Sequence, residues 1–122
     1  MARRRKTVFA PSEDDITVAV LQHWLTLGVP GSLVAAIPNK RAFGQVGLTP
    51  GLPDLMVITP KLGAVTGYIE LKREGGTLSD GQLAIRAFMA MRDIPYALCV
   101  GRDEPIRVLE AWGAVRQQAD AA

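Results

Sequence analysis

The chain has 122 residues, which is the size of one domain with a modest core. Its 14 Lys and Arg and 12 Asp and Glu leave a formal net charge of only +2, which excludes a protein that coats nucleic acid by charge alone. The hydrophobic share of 48% is high for a small domain, so we expect apolar surface that a partner covers, most simply a second copy of the chain.

Cysteine usage and hydropathy indicate the cellular compartment. The single cysteine, Cys99, excludes an intrachain disulfide and a cysteine metal cluster, and its apolar neighbours predict a small buried side chain. No run has the length of a membrane span or the pattern of a signal peptide. We therefore expect a cytoplasmic protein that does not bind a membrane.

The first segment, residues 1–11, is a basic arm that we expect to be flexible. Its cationic residues are Arg3, Arg4, Arg5 and Lys6. Such an arm either contacts phosphates or acts as a solubilising tail, and the sequence leaves both interpretations open. Residues 12–122 are predicted to form a single domain.

A first helix is predicted from Ser12, a good N-cap, to Gly28, a good helix end. Its apolar positions recur at steps of three and four residues; they are Ile16, Val20, Trp24 and Leu27. Glu13 extends this stripe by one turn towards the N-terminus. Its carboxylate therefore either faces inward for a functional reason or simply favours the helix dipole.

A strand is predicted over Ser32–Ile37. Residues 39–53 are then rich in glycine and proline, which predicts a long loop, and a long loop in a small domain is often functional. Lys40 and Arg41 stand at its start, where they serve either phosphate binding or solubility. The loop lacks the Gly-Lys-Ser/Thr ending of a phosphate loop, so we expect no nucleotide cofactor.

The second half of the chain also contains both predicted strands and predicted helices. A strand over Asp54–Thr59 and a strand from Val65 or Thr66 to Lys72 form a predicted hairpin. A helix over Ser79–Arg92, a strand over Tyr96–Val100 and a helix from residue 103 or 104 follow. The order α-β-β-β-α-β-α predicts an α/β fold in which helices flank a mixed β-sheet.

The apolar residues of the last two helices indicate which sides face the core. Those of the second helix are Leu83, Ala87, Phe88 and Met91. Those of the third helix are Ile106, Leu109, Trp112 and Val115. Both sets are predicted to be inner faces. The only histidine, His23, has no evident partner for a catalytic or zinc role.

The hairpin carries the most informative cluster. Residues two apart in a strand face the same side, so Glu70 and Lys72 share a face, and Asp54 at the start of the preceding strand can lie beside Glu70. Two adjacent carboxylates repel unless a cation lies between them, and Mg²⁺ prefers such oxygen ligands. Lys72 is then placed to hold a water near the metal. The competing interpretation is a solvated strand face with a cross-strand ion pair.

Three motifs in order resemble the VRR-NUC branch of the PD-(D/E)xK nucleases. They are Gly51-Leu52-Pro53-Asp54, then Tyr68-Ile69-Glu70-Leu71-Lys72, then Leu78-Ser79-Asp80-Gly81-Gln82. The resemblance extends over about residues 12–112. It implies a restriction-endonuclease-like core and Mg²⁺ as the cofactor, with Mn²⁺ able to substitute.

The resemblance also implies a role for each matched residue. Asp54 and Glu70 would bind the metal with the backbone carbonyl of Leu71, and Glu13 would help from the first helix, often through a metal-bound water. Lys72 would orient or activate the attacking water. Gln82 would support the lysine or the nucleic-acid backbone, although Ser79 three residues earlier makes a capping box an equally good explanation.

The expected activity is hydrolysis of DNA phosphodiester bonds. Small standalone members of this family resemble phage-type Holliday junction resolvases, which implies a homodimer that selects branched DNA in a bacterial or phage-infected cell. Arg73, next to Lys72, joins Lys40 and Arg41 as an expected DNA contact. The alternatives are a nucleic-acid-binding module that has lost cleavage, or a nuclease for RNA or for linear DNA ends.

Overall fold

A computed structural model of the protein describes residues 10–38 and 46–117. The basic residues of the arm, Lys40 and Arg41 lie outside these described residues. In the part of the chain that is described, no helix is both long enough and apolar enough to cross a membrane.

The centre of the fold is a four-stranded sheet. Its strands are β1 (Leu33–Ala36), β2 (Leu55–Ile58), β3 (Gly67–Lys72) and β4 (Tyr96–Val100). They lie side by side in chain order. The pairs β1–β2 and β2–β3 are antiparallel, whereas the pair β3–β4 is parallel. The predicted mixed sheet and the predicted hairpin of β2 and β3 are therefore confirmed.

Three helices complete the predicted order, namely α1 (Glu13–Leu27), α2 (Asp80–Met91) and α3 (Asp103–Ala111). The helix α2 is the connection between the parallel strands β3 and β4, as a parallel pair requires. The fold is the restriction-endonuclease-like α/β arrangement that the sequence predicted.

The core lies between one face of the sheet and the helices α1 and α3. It combines alternate residues of the strands with the predicted stripe of α1, in which Ile16 and Val20 are completely buried. Trp24 and Leu27 pack against the same cluster at its margin. Cys99 is 1% exposed and free, as predicted, and burial raises the pKa of its thiol to about 12.

The apolar stripe predicted for the third helix extends beyond the C-terminal end of the helix. Leu109 is fully buried in α3, but the helix ends at Ala111 because Gly113 takes a positive φ of 81°. The chain then returns to α1, where Val115 forms an isolated antiparallel bridge with Gly28. Val115 thus reaches the core from extended backbone rather than from a helix.

The inner face predicted for α2 was wrong. Leu83 and Phe88 are each 48% exposed and Met91 is 85% exposed, whereas Met89 is the buried residue of this helix. The reason is that Gln82 faces the sheet, where its side chain binds Glu70 and Lys72. At about 100° per residue, a helix that turns Gln82 inward also turns Met89 inward and the other apolar residues outward.

Candidate active site

Main-chain hydrogen bonds fix Asp54 at the entrance to β2. Its N–H donates to the Ile69 carbonyl at 3.1 Å, and its carbonyl accepts from the Ile37 N–H at 2.8 Å. The carboxylate oxygen Oδ2 accepts from the Leu71 N–H at 2.7 Å. The hairpin therefore places the Asp54 carboxylate directly against the backbone that follows Glu70, as the strand geometry predicted.

Glu70 lies within β3, on the sheet face that α2 covers. Its side chain is 1% exposed although it is a carboxyl group. Burial, and then the negative charge of the nearby Asp54 carboxylate, raises the pKa of Glu70 from 4.5 to about 8, while the Lys72 charge acts in the opposite direction. Such a perturbed acid beside a second acid is typical of a functional site.

Lys72 is buried on the same face, and its side chain is only 9% exposed. Its ammonium nitrogen Nζ donates to Gln82 Oε1 at 3.1 Å and lies 3.9 Å from Glu70 Oε2. A buried ammonium group is costly unless it is paired and hydrogen-bonded. The fold therefore holds this cation in place for a reason other than solubility.

Gln82 joins these two side chains. Its Nε2 donates to Glu70 Oε2 at 3.2 Å, while its Oε1 accepts from Lys72 and also from the Ser79 backbone N–H at 2.9 Å. The Gln82 N–H in turn donates to Ser79 Oγ at 3.2 Å, which completes a capping box. The capping box and the contact with Lys72 that the family resemblance implied are both present, and Glu70 is a further partner that the sequence did not predict.

The capping box also decides which way the Gln82 amide points. The Ser79 backbone N–H can only donate, so the amide atom facing it must be the acceptor Oε1. The donor Nε2 is then left for Glu70, and the ammonium of Lys72 meets the same Oε1. A helix cap thus orients the group that positions both charged residues.

A contact between two glycines holds the first turn of α2 against the loop that leads into Asp54. Gly51 has a φ of 88°, and a Cβ built on it would lie 2.4 Å from the carbonyl carbon and oxygen of Gly81 and 2.9 Å from the Gln82 nitrogen. No side chain fits such a gap. Sequence analysis matched Gly51 to a motif but did not predict this contact with the main chain of α2. A Cβ on Gly81 itself would come no closer than 3.7 Å to its neighbours, so the contact requires glycine only at position 51.

The acidic cluster suits a hard divalent cation. Within residues 10–38 and 46–117, Glu70 Oε1 is a buried oxygen without a hydrogen-bond partner, and an unpaired carboxylate oxygen is costly to bury. The Leu71 main chain, whose N–H binds Asp54, lies beside it. Mg²⁺ commonly takes one or two carboxylates together with waters, so Asp54, Glu70 and the Leu71 carbonyl are a plausible ligand set.

Glu13 does not complete a set of three carboxylates. In the described residues, no three side chains of Asp, Glu, His or Cys come together as a group that could hold a metal ion. Glu13 is nonetheless close enough for its negative charge to raise the pKa of Glu70, as the weakest of several causes. This placement fits an indirect role, such as the contact through a metal-bound water that the family resemblance implies.

The basic candidates are only partly described. Arg73 is exposed directly after β3, beside buried Lys72, where a phosphate could reach it. His23 lies elsewhere, in a cavity of about 180 Å³ that it lines with Ala19, Arg102, Asp103 and Ile106. That cavity includes none of the acidic cluster, so we locate the chemistry at Asp54, Glu70 and Lys72 rather than in the cavity.

The fold and this cluster together define a class of protein, the restriction-endonuclease-like domains. The sequence model of the VRR-NUC domain matches residues 15–103, and the chain therefore belongs to the VRR-NUC family, a nuclease-type family. A solved structure of a VRR_NUC domain is similar to it, with 23% identity and a TM-score of 0.55 over 81% of this chain and 94% of that chain. At this identity the similarity supports the fold alone. A comparison with curated proteins finds no match.

Proposed function

We propose that this protein is a divalent-metal-dependent endonuclease that hydrolyses phosphodiester bonds in DNA. The observation that carries the proposal is the hydrogen-bonded chain from Glu70 through the Gln82 amide to Lys72, with Asp54 held against the adjacent Leu71 amide. Two acids and a lysine, of which Asp54 is held by a backbone N–H and the other two by the Gln82 amide, match the requirements of a phosphodiester hydrolase.

In the proposed reaction, a water oxygen forms a bond to phosphorus and gives up a proton to solvent, while the bond to the leaving oxygen breaks and that oxygen gains a proton. Mg²⁺, when bound, would supply positive charge to the phosphate oxygens and lower the pKa of a bound water. Asp54, Glu70 and the Leu71 carbonyl are the groups that would hold it. The unpartnered Glu70 Oε1 provides a ligand atom that no protein donor occupies in the described residues.

Lys72 has a separate task. One of its three N–H donors is used by Gln82 Oε1, which leaves donors to orient the attacking water or a phosphate oxygen. Gln82 binds both the Lys72 ammonium and Glu70 Oε2. The distance from Nζ to Glu70 Oε2 is 3.9 Å, which is longer than that of a close ion pair. Gln82 is thus a positioning residue for both charged side chains.

The substrate in this proposal is branched DNA, and the active form is a homodimer. Its support is the family resemblance in the motifs, together with the half-exposed apolar residues on the outside of α2. A two-fold dimer would present two sites to two strands, which suits a symmetric junction. Arg73 beside the site, and Lys40 and Arg41 in the preceding loop, would contact phosphates.

The test compares supercoiled plasmid, linear duplex and a four-way junction, each with Mg²⁺, Mn²⁺ or EDTA. We expect cleavage with either metal, none in EDTA, and the highest rate on the junction. Asp54→Asn and Lys72→Ala should abolish cleavage, whereas Glu74→Gln, which removes an exposed charge near the site, should leave it unchanged.

Different failures have different meanings. Cleavage that persists in EDTA or in Asp54→Asn would contradict the metal mechanism. Equal cutting of all duplexes would remove the preference for branched DNA. Junction binding without cleavage, even with Mn²⁺, would instead identify a nucleic-acid-binding module of the same fold.

A further inference from the structure

The side of α2 that faces away from the sheet carries several large, exposed apolar side chains. Leu83 and Phe88 are each 48% exposed and Met91 is 85% exposed, all within a helix of 12 residues. Ala84 and Ala87, which lie between them, are exposed as well. We call these five residues the outer face of α2. A contiguous apolar patch of this kind marks an interaction surface more often than a single exposed side chain does.

The rotation of α2 shows why this face has no partner among residues 10–38 and 46–117. Gln82 and Met89 point towards the sheet, and at about 100° per residue the outer face lies on the opposite side of the helix. The contacts with Glu70 and Lys72 keep this rotation fixed. Turning the helix therefore cannot bury the apolar residues without breaking these contacts.

We propose that a second copy of this chain covers the outer face, with the two α2 helices packed antiparallel about a two-fold axis. An axis that passes between positions 85 and 86 makes the face complementary to itself. Leu83 then meets Phe88 of the partner subunit, and Ala84 meets Ala87 of the partner subunit. Two small residues at the centre allow close approach, and the larger ones fill the space on either side.

The charges at the helix ends favour the antiparallel arrangement. Asp80 begins α2 and Arg92 caps its C-terminus, so antiparallel packing brings Asp80 near Arg92 of the partner subunit. Parallel packing would instead bring like charges together. The Arg92 guanidinium lies 4.6 Å from the centre of the Phe88 ring, so it also covers the edge of the apolar patch.

This interface rests on the homodimer of the proposed function and specifies where that dimer forms. It would place the dimer contact and the Gln82 side chain on opposite sides of α2. Dimer packing would then stabilise the helix whose Gln82 positions Glu70 and Lys72. The exposed apolar residues of α1 do not form a continuous apolar face like that of α2. Val18 and Leu25 on α1 flank the exposed polar Gln22, and they serve as a matched control.

The first test is sedimentation equilibrium at micromolar concentration. Wild type should sediment at twice the chain mass of 13.1 kDa, and Leu83→Glu with Met91→Glu should reduce this to the single chain mass. The control pair Val18→Glu with Leu25→Glu adds the same charge to another exposed helix face and should leave the dimer intact. Thermal unfolding checks that each variant is folded.

The second test is disulfide cross-linking under mild oxidation. A mixture of Ala84→Cys and Ala87→Cys chains should form a covalent dimer rapidly, because these positions face each other across the proposed axis. Chains with Val18→Cys should cross-link at least ten-fold more slowly. Native Cys99 does not interfere because it is buried.

The outcomes separate this inference from the proposed function. A wild-type monomer would overturn both the homodimer and the interface, but it would leave the nuclease proposal to its own assay. A dimer that survives the α2 pair, or that dissociates only with the α1 pair, would overturn the interface alone. Cross-linking that is equally fast at Val18→Cys would also contradict it.

Discussion

At the scale of single residues, Gln82 shows how one side chain can serve folding and chemistry together. Its Oε1 completes the N-terminal cap of α2 through the Ser79 N–H, and the same amide holds Glu70 and Lys72. A cap contributes about 1 kcal/mol to stability. The effect of Gln82 on stability therefore has to be separated from the effect of Gln82 on Glu70 and Lys72.

Gln82→Glu separates the two effects. Glutamate also completes a capping box after serine and accepts from Lys72, but it cannot donate to Glu70. We expect helix α2 to remain capped, while cleavage falls about 10- to 100-fold, the usual effect of losing a group that orients a metal ligand. Both are measurable, by circular dichroism and by single-turnover cleavage of the preferred DNA.

Gln82→Ala is the comparison, because it removes the cap and the contacts together. If Gln82 were only a cap, Gln82→Glu would keep full activity and Gln82→Ala would lose stability. If Gln82 positions Glu70, both variants lose activity. Full activity of Gln82→Glu would therefore contradict the positioning role.

At the scale of elements, the joint between Gly51 and Gly81 connects the loop before Asp54 to the helix that carries Gln82. The loop and the helix are about thirty residues apart in the chain, as their numbers show, yet their backbones touch. The joint thereby fixes the distance between the two halves of the site. A rigid contact of this kind is needed because metal ligands must be held within fractions of an ångström.

Gly51→Ala should disturb this joint. The added methyl group would overlap the Gly81 carbonyl group, and the positive φ adds strain. Gly47→Ala is the matched control, because Gly47 has a similar φ of 87° but nothing within 4 Å of an added Cβ. We expect Gly47→Ala to cost about 1 kcal/mol in urea unfolding and Gly51→Ala at least ~2 kcal/mol more, from steric overlap.

Activity should follow the same order. Gly51→Ala should lose cleavage at temperatures where it is still folded, whereas Gly47→Ala should keep it. Equal stability losses in the two variants would show that the strained φ, and not the contact with Gly81, makes Gly51 important.

At the scale of the whole molecule, the buried acid makes stability depend on pH. The pKa of Glu70 is raised from 4.5 to about 8 in the folded protein, so the folded state binds a proton more tightly than the unfolded state does. Its contribution to stability is therefore fully present below pH 4.5 and is lost as the pH rises through about 8.

Glu70→Gln should remove this dependence. In EDTA, we expect the free energy of unfolding of wild type to fall with rising pH by at most ~1.4 kcal/mol per pH unit relative to Glu70→Gln. Mg²⁺ should restore stability to wild type at pH 8 and have little effect on the variant. Parallel pH profiles of the two proteins in EDTA would contradict a buried, proton-binding Glu70.

The sequence by itself determined the order of the elements, the inner stripe of α1 and the meeting of Asp54, Glu70 and Lys72. The first two follow from local periodicity, and the third follows from the alternation of side chains along a strand and from the short turn that pairs the two strands as a hairpin. The family was also recognisable, because its motifs are short and ordered along the chain.

Only the tertiary structure decided the rotation of α2 and the backbone contact that requires glycine at position 51. Apolar spacing predicted that Leu83, Phe88 and Met91 face the core, but the hydrogen bonds of Gln82 turn this helix the other way. The rotation of a helix about its axis depends on contacts between residues that are distant in the chain. Such contacts leave no periodic pattern in the sequence, so this one appeared only when Glu70, Lys72 and Gln82 were brought together.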